Sequence, residues 1–198
     1  MRWGTRTPAR PRGLVLLGLV AALLVGACVA PAEAPRTQVR DLEGRPIDPL
    51  AVGDAHATVL LFVDPECPIS NAYAPEVRRL YDEFSPRGVD FWLVYADAGR
   101  TTDVVRAHVA AFQYPMPAVR DADHELVRRA GATITPEACV FTARGELAYR
   151  GRIDDRYVDF GKQRAAPTTR DLRDAIEATL DGERPLRPWP AAIGCTIP

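Results

Sequence analysis

Two strongly apolar runs dominate the pattern of hydrophobic and polar positions along the chain. They cover Ala57–Val63 and Val89–Tyr95, and apolar runs of this length are typical of central strands that helices cover on both faces. Between the two runs, apolar side chains recur every three or four residues, which predicts an amphipathic helix. The apolar stripe of that helix contains Tyr73, Val77, Leu80, Tyr81 and Phe84.

The same alternation of strand and helix patterns continues toward the C-terminus. The further predicted elements are a hairpin at 38–47, a helix that Thr101 or Thr102 caps, a strand at 118–120, a short helix that Asp123 caps, an antiparallel pair at 137–142 and 147–153, and a last helix after 167–169. Strands that alternate with helices favour a parallel sheet with helices on both faces, to which the closing hairpin adds antiparallel strands. The pattern therefore predicts an α/β fold with a central mixed sheet.

Composition and charge narrow the classes of function. The 198 residues suffice for one domain with extensions, and a chain that is 47% hydrophobic and 26% charged can form a packed core. The formal net charge is −1, and no basic run or interleaving of basic and aromatic residues is present. These features exclude nucleic acid as an expected partner.

The N-terminal segment has the pattern of an export signal. Four arginines precede the charge-free apolar run Gly13–Ala27, which is shorter than the roughly 20 residues of a membrane span but suits a signal peptide. Small residues before Cys28 resemble a bacterial lipobox, which implies cleavage before Cys28 and attachment of lipid to its sulfur. Plain secretion and an uncleaved anchor are the alternatives.

These signals divide the chain into four segments. We expect a signal peptide at 1–27, a tether at 28–36, one domain at 37–183 and a proline-rich tail at 184–198. The product would be a protein exported across the bacterial inner membrane, held by a lipid anchor on Cys28 and facing the periplasm or the cell surface. Cleavage removes four arginines and no acidic residue, so the formal net charge changes from −1 to −5.

Three cysteines remain in the exported chain, namely Cys67, Cys139 and Cys195. An odd number does not suit a disulfide framework, so at least one thiol is expected to be free to react. Cys67 lies between the end of a predicted strand and the start of a predicted helix, where unpaired N–H groups and the helix dipole stabilise a thiolate. Ser70, one turn later, is placed to donate a hydrogen bond to that sulfur. The alternative is a buried structural cysteine.

Two prolines complete a recognisable set with Cys67 and Ser70. Pro75 lies inside the predicted helix, where it should kink the helix, and Thr135-Pro136 opens a later strand, where a proline is well placed to be cis. This ordered set resembles the thioredoxin superfamily, and specifically its redoxin branch, which contains the alkyl hydroperoxide reductase/thiol-specific antioxidant group and exported thiol–disulfide oxidoreductases. The resemblance covers roughly residues 37 to 183.

The resemblance implies a thioredoxin-like three-layer fold, with a strand and a helix inserted between the active-site helix and the cis-proline strand. It implies that Cys67 is the nucleophile, that Ser70 stands in place of the usual resolving cysteine, and that Thr135 and Pro136 shape the groove for a partner. The peroxiredoxin signature before the cysteine is absent. A peroxidase would also need an arginine beside the thiolate, for which Arg120 and Arg150 are candidates by residue type alone.

The sequence does not decide which second cysteine reacts with Cys67. Cys139 follows Pro136 in a strand that should pass near the site, and Cys195 lies in a tail whose tryptophan and prolines suggest that it packs against the domain. Either cysteine could resolve a disulfide on Cys67, although Cys139 also suits a small core residue. If neither pairs with Cys67, an outside thiol must resolve the intermediate, or Cys67 stops at a sulfenic acid.

Three functions follow from these features. The first is an exported thiol–disulfide oxidoreductase with a protein thiol or disulfide as partner, and the second is a thiol peroxidase that takes a peroxide. The third is a non-enzymatic binding or copper-handling module in which His108 or His124 joins Cys67. No cofactor and no resident metal are expected. The charged segment at 149–164 is interpreted as a solvated loop or as a loop beside the site, with Asp154 and Asp155 paired to Arg152 and Arg156.

Overall fold

The computed structural model describes residues 1, 3–4, 38–51, 53–185 and 187–198. The predicted tether and Cys28 lie outside these described residues, as does nearly all of the predicted signal peptide. Contacts divide the chain into one unit at Met1–Glu33 and a second at Ala34–Pro198, and the fold described below is that of the second unit.

Strands and helices alternate along the described chain as the pattern predicts. The strands are β1 (Val39–Asp41), β2 (Pro46–Ile47), β3 (Ala57–Phe62), β4 (Val89–Tyr95), β5 (Ala118–Arg120), β6 (Ile134–Thr135), β7 (Glu137–Thr142), β8 (Leu147–Gly151), β9 (Tyr157–Asp159), β10 (Lys162–Gln163) and β11 (Cys195–Thr196). The helices are α1 (Pro68–Phe84), α2 (Thr102–Ala111), α3 (Glu125–Ala130) and α4 (Asp171–Leu180), with a short 3-10 turn at Ser85–Arg87. None of the described helices is both long enough and apolar enough to cross a membrane.

A mixed sheet of seven strands forms the middle layer, in the order β2-β1-β5-β4-β3-β7-β8. The central strands β3, β4 and β5 run parallel, because helical crossovers connect them, whereas β7 pairs with β3 and β8 in antiparallel register. Every residue of β3 is buried, as expected of a strand with helices above and below. The predicted mixed sheet is confirmed.

The two faces of the sheet carry separate apolar clusters. Val59 and Leu61 point to the face that α1, α2 and α4 cover, and Leu60 and Phe62 point to the face that α3 covers. This alternation follows from the period of two along a strand. The result is the three-layer arrangement that the resemblance implies, in which β4, α2, β5 and α3 lie between α1 and Pro136.

Local signals fix the ends of the helices, with one correction. The Thr101 hydroxyl accepts the backbone N–H of Val104 at 3.3 Å and caps α2 as predicted. Asp123 does not cap α3. The carboxylate of Asp121 instead accepts the N–H groups of Glu125 at 2.7 Å and Val127 at 2.9 Å, because the chain bends between Asp121 and α3 and brings this side chain over the first turn.

The charged segment after β8 is more structured than the sequence suggests. It contains the small hairpin of β9 and β10, and the predicted ion pairs are wrong. The Asp155 carboxylate lies 3.2 Å from Arg164, and Arg152 lies 2.7 Å from Asp171. Asp154 and Asp155 are both buried, so these two carboxylates fasten the loop to the domain rather than facing solvent.

Candidate active site around Cys67

Cys67 is the N-cap residue of α1, five residues after the end of β3 at Phe62. Its backbone is extended, with φ −81° and ψ 109°, and Pro68 follows at the first helical position, where its missing N–H costs no helical hydrogen bond. The side chain is 1% exposed and belongs to the cluster that α1 covers. The sulfur therefore lies beside the free N–H groups of the first helical turn.

The strand before Pro136 crosses directly over this sulfur. The Cys67 Sγ lies 3.0 Å from the carbonyl oxygen of Thr135, to which the protonated thiol donates. The peptide bond between Thr135 and Pro136 is cis, as the resemblance implied. Cys67, Thr135 and Pro136 are thus brought together across 68 residues of sequence.

The C-terminal tail supplies the second sulfur at this site. Its strand β11 pairs with β6 so that Cys195 lies opposite Thr135, and the Thr135 hydroxyl donates to the Cys195 carbonyl oxygen at 3.3 Å. Cys195 and Cys67 line the same cavity, and Cys195 packs against the apolar cluster that contains Cys67. Trp189, Ile193 and Cys195 pack against the core, so the expectation that the tail packs is confirmed.

The two thiols have opposite acidities. Burial raises the pKa of Cys67, but hydrogen bonds from Cys195 and from the backbone and hydroxyl of Ser70 outweigh burial and hold that pKa below its ordinary value. The pKa of Cys195 is raised to about 11 by burial, by its hydrogen bond to Cys67 and by the negative charge of Cys67. Cys67 is accordingly the more acidic thiol of the pair, and Cys195 is the thiol that keeps its proton to higher pH.

Ser70 faces the Cys67 sulfur from the first turn of α1. Its side chain is 1% exposed, and its hydroxyl has no nitrogen or oxygen partner among the described residues. A buried hydroxyl without a hydrogen-bond partner costs free energy. This cost falls when Cys67 ionises and its sulfur accepts a hydrogen bond from the Ser70 hydroxyl. Ser70 is therefore a donor that favours the thiolate.

Cys139 lies on the other face of the sheet. It pairs with Leu60 across β7 and β3, is fully buried, and packs in the cluster that α3 covers. Burial, with a smaller effect of the Glu137 charge, raises the pKa of Cys139 well above its ordinary value. Its surroundings suit the small core residue that the sequence left open. Cys67, Cys139 and Cys195, the cysteines among the described residues, are free thiols.

A cavity of about 360 Å³ opens beside Cys67 and contains one arginine that the sequence reasoning missed. Arg100 lies 3.1 Å from Asp64, 2.6 Å from Glu66 and 3.1 Å from Asp97. The guanidinium lowers the pKa of Glu66 and neutralises much of the negative charge that would oppose a thiolate. Arg100 follows β4 at the carboxyl end of a strand parallel to β3, and this position is the signal that could have identified it.

The sequence candidates for a peroxide-binding arginine lie elsewhere. Arg150 donates to the carbonyl oxygen of Gly131 and lies 3.7 Å from Glu137, and Arg120 pairs with Arg40 in the sheet. Neither arginine lines the cavity that contains Cys67. The arginine that does line this cavity is Arg100, and its guanidinium is already paired with carboxylates.

The histidines named for a copper site are engaged in other contacts. Both ring nitrogens of His108 have partners, Tyr95 at 2.7 Å and Asn71 at 2.8 Å, and His124 Nε2 lies 2.9 Å from the carbonyl oxygen of Ala96. Within the described residues, no group of three or more His, Cys, Asp or Glu side chains is arranged to hold a metal ion.

Comparison with known proteins agrees with this architecture. The family model described as the AhpC/TSA family matches residues 31–150, which confirms the predicted redoxin resemblance. No match is found among curated proteins.

Solved structures show the same fold. An uncharacterized conserved protein from Geobacillus kaustophilus superposes with a TM-score of 0.71 at 24% identity, over 83% of this chain and 89% of that one. StoA from Bacillus subtilis gives 0.52 at 20% identity, over 74% and 99%. A secreted Mycobacterium tuberculosis disulfide oxidoreductase homologous to E. coli DsbE gives 0.51 at 18% identity, over 74% and 96%. These likenesses confirm the predicted thioredoxin-like fold class.

Proposed function

The chain belongs to the AhpC/TSA family, and on that premise we propose that it is an exported thiol–disulfide oxidoreductase with Cys67 as nucleophile and Cys195 as resolving thiol. The observation that carries the proposal is that both cysteines meet at Thr135: its carbonyl oxygen lies 3.0 Å from the Cys67 Sγ, and Thr135 pairs with Cys195 across β6 and β11. The disulfide oxidoreductase from Mycobacterium tuberculosis, which shares the fold, has an activity of this class.

The reaction begins with attack of the Cys67 thiolate on a partner disulfide. A new bond forms between Cys67 and one partner sulfur, the partner S–S bond breaks, and the leaving thiolate takes a proton from solvent. Cys67 is then uncharged. Burial still raises the pKa of Cys195, but the hydrogen bond to the Cys67 thiolate and its negative charge no longer contribute. Cys195 consequently ionises more readily once it is needed.

Cys195 completes the exchange. Its thiolate attacks Cys67 in the mixed disulfide, forms the Cys67–Cys195 bond and releases the second partner thiol. The net change converts two protein thiols to one disulfide and one partner disulfide to two thiols, a two-electron transfer that also runs in reverse. Ser70 cannot resolve the mixed disulfide, because a hydroxyl forms no disulfide.

Matched cysteine variants, reduced beforehand and freed of reductant, test this assignment in a single turnover with a fluorescent disulfide-linked peptide as substrate. Cys67→Ser should abolish reduction, and Cys195→Ser should make one mixed disulfide per chain without turnover, which intact-mass measurement detects. Cys139→Ser is the control and should keep full turnover. Retained turnover in Cys67→Ser would exclude this residue as nucleophile, and retained turnover in Cys195→Ser would exclude internal resolution.

Peroxide reduction is the second candidate, favoured by membership of the AhpC/TSA family. The Cys67 thiolate would take one peroxide oxygen to become a sulfenic acid and release an alcohol, and Cys195 would then form the disulfide with loss of water. The pairing of Arg100 with three carboxylates favours disulfide exchange instead, because little cationic charge is left to bind peroxide. Peroxide consumption, measured beside disulfide reduction, separates the two.

Export and lipid attachment form part of the proposal. The apolar run to Ala27 and the small residues before Cys28 support them, and Cys28 would hold the domain at a membrane facing the periplasm or cell surface. Labelled palmitate fed to expressing cells should enter the wild-type protein and Cys139→Ser but not Cys28→Ala. Equal labelling of Cys28→Ala would exclude Cys28 as the site of lipid attachment. Plain secretion or an uncleaved anchor would then be the remaining alternatives.

A further inference from the structure

The edge of β6 beside Cys67 is occupied by the chain's own tail. Cys195 lies opposite Thr135 and Thr196 opposite Ile134, and the N–H of Ile197 donates to the carbonyl oxygen of Thr133 at 3.0 Å. Within the described residues, β6 and β11 form a separate sheet of two strands. This short backbone edge can pair with one strand on that side at a time.

The tail also covers the nucleophile. Cys67 is 1% exposed, whereas Cys195 is half-buried and Thr196 is exposed on the outer side. Attack on a disulfide needs the partner sulfur in contact with Sγ, and the tail occupies the position from which an extended segment would bring it. A partner polypeptide therefore cannot reach Cys67 while β11 is paired with β6.

Gly194 determines how closely the tail can lie on this edge. A Cβ added there would lie well inside contact distance of the Thr135 carbonyl oxygen, 2.7 Å from its carbonyl carbon and 3.1 Å from Pro136 Cδ. Two of these three atoms belong to the backbone and cannot rotate away. Any residue with a side chain at this position would displace the strand, so the edge accepts glycine immediately before the cysteine.

The attachment of the tail is local and limited. Upstream of β11, the Pro190 carbonyl accepts the N–H of Arg152 at 3.2 Å, and the ring of Trp189 packs on Tyr149 at 6.2 Å. At β11 itself the anchors are the two-residue ladder, the bonds of the Ile197 N–H and the Thr135 hydroxyl, and the packing of half-buried Ile193, Cys195 and Ile197. Segments with few buried contacts open at a small fraction of the global unfolding free energy, so β11 can leave while Trp189 stays in place.

We propose that residues 193–197 occupy the partner-binding site of the enzyme and exchange with an extended partner segment in which glycine precedes the cysteine. This inference rests on the proposed thiol–disulfide exchange. The tail leaves β6, the partner strand pairs with Thr135, and Cys67 attacks the partner disulfide with release of one partner thiol. The tail then returns, Cys195 attacks Cys67, and formation of the internal disulfide expels the partner strand with its second thiol.

Gly194→Ala tests the tail without touching either sulfur, and Gly53→Ala is the matched control, because a Cβ at Gly53 meets nothing closer than 4.0 Å. In reduced full-length protein, alkylation of Cys67 by N-ethylmaleimide should accelerate about tenfold or more in Gly194→Ala and stay unchanged in Gly53→Ala. Loss of the Cys195 hydrogen bond would slow alkylation, so an increase reports access. Hydrogen exchange at Ile197 should rise in parallel, with Val63 still protected. Unchanged alkylation and unchanged exchange would overturn the proposal that residues 193–197 cover Cys67.

Peptide disulfides test the selection for glycine and separate it from the proposed function. Wild-type protein should reduce the disulfide-linked dimer of Ile-Gly-Cys-Thr-Ile about tenfold faster than that of Ile-Ala-Cys-Thr-Ile. Equal rates, or reduction of cystine alone, would overturn the strand site while thiol–disulfide exchange stands. Failure to reduce the peptides and cystine alike would overturn the proposed function, and the alkylation result would still decide whether the tail covers Cys67.

Discussion

At the scale of single residues, the Cys67 thiolate is stabilised by donors from two distant parts of the chain. Ser70 approaches the sulfur from the first turn of α1, and Cys195 approaches from the tail. Burial opposes ionisation, so each donor contributes to keeping the pKa of Cys67 below its ordinary value. The reactivity of Cys67 therefore depends on side chains other than its own.

Removal of the Ser70 hydroxyl should make this dependence measurable. Ser70→Ala should raise the pKa of Cys67, because burial remains while one donor is lost. Iodoacetamide alkylation of Cys67 should then slow several-fold at neutral pH and reach the wild-type limit in alkaline solution. Ser85→Ala, at the other end of α1, is the control. An unchanged pH profile would show that the hydroxyl does not act on the sulfur.

Cys139 should affect stability rather than chemistry. Cys139→Ser places a hydroxyl in a fully buried apolar site and should lower the free energy of unfolding by about 1–3 kcal/mol. Urea unfolding measures the loss, and disulfide reduction should proceed at the wild-type rate. Loss of turnover without loss of stability would mean that Cys139 takes part in the reaction.

The sequence predicts those candidate site residues whose signals are local. Cys67, Ser70 and Pro136 lie at a strand–helix junction or at a strand start, so order along the chain was sufficient. The choice between Cys139 and Cys195 was not accessible, because it depends on which face of the sheet β7 presents Cys139 to. Arg100 was missed because its partners Asp64 and Glu66 come from a neighbouring strand end.

At the scale of elements, the short strand β6 is positioned by a buried carboxylate. Glu137 follows Pro136 and is 5% exposed, and its Oε2 accepts the N–H of Thr133 at 2.7 Å and of Ile134 at 3.4 Å. These bonds fix the loop whose far side pairs with the tail. Glu137 is thus a positioning residue for the edge that crosses Cys67.

Glu137→Ala should loosen this edge and the tail together. Two backbone N–H groups lose their acceptor, so the free energy of unfolding should fall by about 1–3 kcal/mol, and hydrogen exchange at Ile197 should accelerate. Glu137→Gln keeps one acceptor oxygen and should recover part of both effects, and Glu183→Ala, at an exposed site, should change neither. If the Ile197 amide of Glu137→Ala exchanges at the wild-type rate, the bonds of Glu137 to β6 do not control the pairing of the tail.

The elements predicted correctly are those with a local pattern of sufficient length. β3 and β4 are apolar runs, and Thr101 caps α2 with its own hydroxyl. β11 has two residues and pairs with a strand about 60 residues away. It is too short to show a hydrophobic periodicity from which it could be predicted. Asp121 rather than Asp123 caps α3, because the chain bends before the helix. This bend is set by tertiary structure, so the local sequence pattern does not reveal it.

At the scale of the whole molecule, Asp155 connects the charged loop to the start of α4. Its carboxylate accepts hydrogen bonds from the hydroxyl and N–H of Thr168 and from the N–H of Thr169 at 3.0 Å. The Thr168 hydroxyl is the largest cause that lowers the pKa of Asp155, with Arg164 adding to it. A carboxylate whose pKa is lowered by folding stabilises the fold at pH values above its ordinary pKa of 3.8. This stabilisation is lost as the pH falls through the lower pKa of the folded protein.

Asp155→Asn should consequently change the acid dependence of stability. The variant should unfold at lower urea concentration than the wild type at pH 7, and the difference should shrink as the pH is lowered below about 4. Asp54→Asn, at an exposed position, is the control and should follow the wild type. A constant difference between Asp155→Asn and wild type across this range would show that the charge of Asp155 is not linked to folding.

The account as a whole depends on one long-range pairing, in which the tail brings Cys195 to the sulfur at the start of α1. Disulfide mapping tests it most directly. The reduced full-length protein is treated with one equivalent of a small-molecule disulfide, blocked with iodoacetamide, digested without reduction and analysed by mass spectrometry. The account predicts a Cys67–Cys195 disulfide with Cys139 recovered as a blocked thiol. A Cys67–Cys139 disulfide, or Cys67 held only as a mixed disulfide while Cys195 is a free thiol, would contradict it.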